Sequence, residues 1–341
     1  MAAPNITQAT VSKAESTKLQ SRRLPLTVAA FCILWSSAFA AAKVAMTDSP
    51  PLLVLDMRFL IAAAIILGVV AIRRSWELSW RDTFVFAVLG IVNQATFLGL
   101  GYVGMHSVSS GLSALIVSAN PVLTAVLATW FLNERLTWRK AAGLLLGVVG
   151  VAFVVESRLA GGADHPTGIG FTIAALVSLV AGTIVFKKFA PAHGHWTGNG
   201  VQSLSAGLAT LPFALGFESP SDIVPTWSLF LSVVYLALFV SVLAYLLWFH
   251  MLTVWGATAA SSYHFLMPPL GLLFGWMLLG EHVARTDLIG IIPVAIGIYL
   301  VTRPARVSKT PAVSLLAASL STAQAAGSLA SCVSQRHTGA R

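Results

Sequence analysis

Long apolar runs separated by short polar connectors dominate the chain. A bilayer core takes about 20 apolar residues per helix. Ten runs come near that length: 24–45, 51–72, 83–103, 108–131, 138–156, 168–188, 197–216, 228–250, 256–280 and 286–302. Each predicts a transmembrane helix. The seventh is the least apolar at its start, Thr197-Gly198-Asn199-Gly200. Residues 1–23 are hydrophilic, and the first apolar run is too long for a cleaved signal peptide. The pattern predicts an all-α membrane protein with a polar segment 1–23, five helices in 24–156, five in 168–302, and a tail 303–341 rich in Ala and Ser.

Composition agrees. Of 341 residues, 57% are hydrophobic and only 10% are charged, against roughly 25% charged in soluble domains. That excludes an ordinary cytosolic enzyme, a disordered chain and a secreted disulfide scaffold. Cys32 and Cys332 lie at opposite ends, without the spacing of a redox or metal motif. The formal charge of +9 would raise nucleic acid as a partner in a soluble protein. Here topology accounts for it. Seventeen of the 21 basic residues fall in the two ends and in alternate connectors, while the other connectors hold only Arg158 and Arg285. By the positive-inside rule both termini are cytoplasmic, and no nucleic-acid role is expected. The tail reads either as an amphipathic surface helix or as a disordered segment, and carries no assigned function.

Sliding the chain by 147 positions lays Pro121 on Pro268, Leu132 on Leu279, Glu134 on Glu281, Gly143 on Gly290 and Gly150 on Gly297. A shift of 145 lays Lys43 on Lys188. Five helices per copy is an odd number, so the second copy enters the membrane from the other side. Inverted repeats that rock about a shared midplane site are a device of secondary transporters.

These motifs resemble the EamA family of the drug/metabolite transporter superfamily. The run Trp35-Ser36-Ser37-Ala38-Phe39-Ala40-Ala41-Ala42-Lys43 is similar to that family's first helix, and Pro51 with Arg58-Phe59 to its second. Asn120-Pro121, then Leu132-Asn133-Glu134-Arg135-Leu136-Thr137, then Gly143 and Gly150 carry the strongest likeness. Pro268, Leu278-Leu279-Gly280-Glu281, Gly290 and Gly297 repeat it. Ser36, Asn133 and His282 depart from the usual Gly, Gly and Arg. The resemblance covers about 24–302 and implies ten helices around a central cavity. It also implies export of small metabolites such as amino acids, nucleosides or toxic compounds, from a bacterial inner membrane.

Pro121, Pro268 and Pro269 sit in mid-span and predict kinks, lining a cavity or merely bending their helices. Trp35, Asn93, Gln94, Asn120, Tyr263 and His264 are candidate cavity residues; for the amides, interhelical pairing is the competing reading. Tyr102, Tyr245 and Trp248 fit either a cavity or an interfacial belt. Asp56 and His264 are the candidates for proton coupling. Lys43, Arg58, Glu134 and Glu281 read as structural charges: Lys43 snorkelling or paired with Asp56, Arg58 anchoring helices, and the glutamates capping the helices that start near Thr137 and Thr286. A charge at a helix centre costs about 2.5–3.5 kcal/mol in a bilayer. His193-Gly194-His195 reads as a solvated loop without enough ligands for a metal. With no HExxH and no Walker A sequence, neither an enzyme nor a cofactor is expected; a membrane enzyme and a channel are the rival classes. The expected partners are a small-molecule substrate and the lipid bilayer, with a homodimer left open.

Overall fold

A computed structural model describes residues 6–160, 164–283 and 285–302. The tail 303–341 lies outside the described residues. The helices are numbered α1 (Ile6–Ala45), α2 (Pro51–Arg73), α3 (Trp80–Met105), α4 (Ser110–Phe131) and α5 (Trp138–Ala160). They continue as α6 (Pro166–Phe189), α7 (His195–Phe217), α8 (Trp227–Trp255), α9 (Ala257–Leu279) and α10 (Arg285–Thr302). No strand occurs among the described residues. Eight helices, all but α5 and α10, are long and apolar enough to cross a membrane, with α1 qualifying from Leu26 onward. This is a multi-pass, all-helical membrane protein. In α10, the expected tenth span, the apolar stretch is the shorter Leu288–Gly297.

Local chemistry sets the helix ends. Ser79 caps α3 by accepting from the Asp82 N–H at 3.2 Å, and Thr226 caps α8 by accepting from the Leu229 N–H at 3.0 Å. Asn133 (φ 54°) and Gly280 (φ 65°) adopt the left-handed conformation just after α4 and α9, which Gly and Asn tolerate best. Each turn delivers the following glutamate.

Two helices are broken rather than kinked. In α4 the first half ends at Val117 and the second begins at Asn120; α9 passes through a 3₁₀ turn, Tyr263–Leu266, before Met267. Pro121, Pro268 and Pro269 therefore stand in the first turn of a new half-helix, where a missing N–H is tolerated. The Ser118 hydroxyl donates to the Leu115 carbonyl at 2.5 Å and that of Ser262 to the Ala259 carbonyl at 2.7 Å, satisfying groups that lipid would not. Helices α3 and α8 each carry a π-helical stretch, Gly90–Thr96 and Leu236–Ala244.

Element positions recur at a fixed offset. Helices α8, α9 and α10 start 147 residues after α3, α4 and α5, whereas α7 starts 144 after α2. The connector 218–226 is three residues longer than 74–79, which absorbs the difference. Helices α5 and α10 pack on each other through glycines. A Cβ on Gly150 would lie 2.7 Å from the Gly290 carbonyl oxygen, and one on Gly297 would lie 2.5 Å from that of Gly143.

Candidate functional site

A cavity of about 500 Å³, including its open mouth, lies among α1, α2, α3, α4, α6 and α8. Trp35 and Phe39 contribute from α1, Phe97 and Tyr102 from α3, Ser113 and Val117 from α4, Thr172 from α6, and Val240 and Tyr245 from α8. One charged side chain lines it, Arg58 of α2. Arg58 is 1% exposed. Its Nε donates to the Ser241 hydroxyl at 2.6 Å and its Nη1 to the Tyr102 hydroxyl at 3.2 Å. Both acceptors are neutral, and no carboxylate pairs with Arg58 among the described residues. Ser241 belongs to the π-helical stretch of α8, and its carbonyl accepts from Asn199 Nδ2 at 2.8 Å. π-Helical turns of this kind recur at functional sites.

Of the six residues singled out by sequence, Trp35 lines this cavity directly. His264 lies beside it, fully buried, with ring centroids 5.7 Å from Trp35 and 4.9 Å from Trp248. Its Nδ1 faces the Ser261 carbonyl at 3.1 Å, and its Nε2 has no protein partner. Asn93 and Gln94 sit in the π-helical stretch of α3; the Gln94 Oε1 accepts from Ser203 at 3.4 Å, while both amide atoms of Asn93 are unpartnered. Asn120 accepts from Thr124 at 2.7 Å within its own half-helix. Tyr263 is half-buried and meets Trp255 edge-on at 5.9 Å. Tyr102, Tyr245 and Trp248 are all buried, inside the bundle and not in an interfacial belt.

Two of the remaining charges, Lys43 and Lys187, hold helix ends. Lys43 and Asp56, expected to pair or snorkel, do not meet. Lys43 donates to the carbonyls of Met105 (2.7 Å) and Val108 (2.6 Å), where α3 ends, and Asp56 accepts from Thr210 of α7 at 3.1 Å. Lys187 donates to the Leu252 carbonyl at 3.0 Å. Leu252 stands 147 positions after Met105, so Lys187, and not Lys188, occupies the place equivalent to Lys43. Lys188 lies instead over the Phe131 and Phe189 rings, at 5.9 and 5.6 Å.

The two glutamates do not cap the helices next in the chain. Glu134 accepts from the N–H groups of Ala257 (3.0 Å) and Thr258 (3.3 Å) and from the Thr258 hydroxyl (2.5 Å), at the start of α9. Glu281 accepts from the N–H groups of Ser110 (2.9 Å) and Gly111 (3.2 Å) and from the Ser110 hydroxyl (2.9 Å), at the start of α4. Each carboxylate thus meets a helix N-terminus from the other half of the chain, where dipole and orphan donors favour an anion. At the first residue of α7, His195 is half-buried against Phe86, Phe186 and Phe249 and not solvated.

Broken apolar helices around a cavity with a few buried polar groups define the class, a multi-pass membrane transporter. Residues 24–156 and 166–303 both match the model of the EamA-like transporter family, and the chain belongs to that family. It is 30% identical over 308 residues to the uncharacterized transporter YvbV of Bacillus subtilis, covering 87% of this chain and 97% of that protein. It is 28% identical over 296 residues to a probable amino-acid metabolite efflux pump of Salmonella typhimurium, covering 83% and 95%. One crystal structure superposes with a TM-score of 0.63 at 19% identity, covering 81% of this chain and 95% of that one, a likeness of fold alone.

Proposed function

We propose that the protein is a secondary transporter that exports a small metabolite by alternating access, rocking two inverted five-helix repeats, 24–156 and 168–302, about the central cavity. The observation that carries this reading is the exchange of contacts between the halves. Glu134 meets the start of α9 while Glu281, 147 positions later, meets the start of α4. Gly150 faces Gly290 while Gly297 faces Gly143. Contacts swapped in this way are what a two-fold axis between related units generates. With α5 and α10 counted as spans, each repeat has five helices, and an odd number inverts the second copy. The half-helices of α4 and α9 are equivalent, as discontinuous helices at a transporter's midplane are.

The charge distribution supports cytoplasmic termini and an inner-membrane location in a bacterium. The efflux relative supports export, with an amino acid or related metabolite among the candidate substrates. We read the protein as a carrier and not an enzyme, since hydroxyls and one guanidinium are the polar side chains that line the cavity. Reconstituted protein is expected to give saturable counterflow of one solute class from a pooled metabolite panel, read by mass spectrometry. Non-saturating flux would instead identify a channel, and chemical conversion of a panel member an enzyme.

A further inference from the structure

We propose that the cavity takes an organic carboxylate with an aromatic or aliphatic body, its carboxylate paired with Arg58. Transport of the bound carboxylate rests on the carrier reading; its binding does not. The basis is a buried cation with no anion to match. Arg58 lines the cavity and is almost fully buried, and its two protein acceptors are hydroxyls. Those bonds use two of five N–H donors and leave the charge uncompensated. The acid nearest in sequence, Asp56, is committed to Thr210 and is not part of the lining.

The other polar groups at the wall point to the same ligand. Tyr102 accepts from Arg58, which frees its own O–H to donate. The Ser113 hydroxyl lines the cavity, is buried, and has no partner in the protein. The wall thus offers a guanidinium and hydroxyl donors but no carboxylate. A planar guanidinium fork matches a carboxylate in two parallel hydrogen bonds. Around it, Trp35, Phe39 and Phe97 supply apolar surface for the rest of the molecule. The enclosed space is narrow, so a single ring or a short chain is the largest body it suits.

The test is calorimetric titration of the purified full chain in detergent with three ligands of one shape: 3-phenylpropionate, 3-phenylpropionamide and 3-phenylpropylamine. The acid is expected to bind at least about tenfold more tightly than the amide, a factor that one charge-assisted pair readily supplies, and the amine most weakly. In Arg58→Gln that preference is expected to vanish, with Arg58→Lys retaining part of it. Should Arg58→Gln not fold, the acid-to-amide ratio of the unmodified protein still decides. Equal binding of acid and amide, tightest binding of the amine, or no binding of any of the three overturns the proposal. Binding of the acid without saturable counterflow would leave the anion site standing and remove the carrier reading.

Discussion

The reciprocal glutamates allow a quantitative test of how the two halves are held together. Glu281→Ala removes the acceptor for three donors, the Ser110 N–H, the Ser110 hydroxyl and the Gly111 N–H. Hydrogen bonds to a charged group are worth about 1.5–3 kcal/mol net when buried, but Glu281 is half-buried and water replaces part of what is lost. Loss of an N-terminal cap costs about 0.5–2 kcal/mol, and the helix dipole adds about 0.3–1. Together these give a destabilisation of about 1–3 kcal/mol, or a fall in Tm on the order of 2–5 °C for a protein of this size. Glu134 accepts from the equivalent donors of Ala257 and Thr258, so Glu134→Ala should cost the same. The two sites share no partner, so the double variant should show the sum. Thermal unfolding of the purified protein in one detergent, followed by tryptophan emission, measures all three. A Tm within about 1 °C of the unmodified protein for either variant, or a several-fold difference between them, would refute the reasoning.

Three further perturbations test the same geometry. Gly297→Ala places a Cβ 2.5 Å from the Gly143 carbonyl oxygen and 3.2 Å from the Gly147 nitrogen. Backbone cannot yield as a flexible side chain does, so a loss of about 1–3 kcal/mol is expected, read as lowered Tm and lowered monodisperse yield. At the left-handed turns, Gly280→Ala should cost about 1–2 kcal/mol while Asn133→Gly costs nothing, a contrast that the same unfolding curves resolve. Lys43→Met orphans the carbonyls of Met105 and Val108, whereas in Lys187→Met the Leu252 carbonyl still accepts from the Gly256 N–H. The first should therefore destabilise more, by about 1 kcal/mol or more; equal losses would show that the two orphaned carbonyls contribute nothing.

The scaffold was far more legible than the cavity, for a physical reason. Prolines, glycines and charges are costly in an apolar helix, so Pro121, Glu134, Gly143 and their counterparts mark the repeat even where little else matches. Their partners were not visible. Glu134 and Lys43 bond main-chain groups of distant helices, and a backbone N–H or carbonyl leaves no trace in a side-chain pattern. Matching Lys43 to Lys188 failed because identity was followed instead of register, which the longer connector 218–226 resets by three. The cavity was harder still. Lipid and bundle interior are equally apolar, so periodicity does not say which face of a membrane helix turns inward. Tyr102 and Tyr245 therefore looked as much like belt residues as wall residues. Arg58 looked like an anchor, which its bonds to Ser241 and Tyr102 do not contradict; what sequence could not show is that it also faces an opening.

The contrast between paired and unpaired positions bears on mechanism. Residues that fasten the scaffold recur in both halves: Glu134 with Glu281, Lys43 with Lys187, Asn133 with Gly280, and the glycines of α5 with those of α10. Those that line the cavity do not. At the matching positions Ser113 becomes Ala260, Tyr102 becomes Phe249, and Arg58, at the offset of 144 that relates α2 to α7, becomes Gln202. On the proposed alternating-access reading, matched fastenings would let two opposed packings of one scaffold come close in energy, as an empty carrier requires. A polar group repeated by the same axis would put a second charge in the cavity and demand a ligand as symmetric as the frame. On the proposed carrier reading, keeping the charge and free hydroxyls in one half would combine a near-symmetric frame with a ligand site of definite polarity. Introducing the missing symmetry mate, Gln202→Arg, should therefore weaken function without removing any fastening. Gln202 is fully buried, so the new cation should also lower Tm, and the loss of saturable counterflow is to be read at a temperature where the variant stays folded. Unchanged counterflow would show that the asymmetry has no functional role.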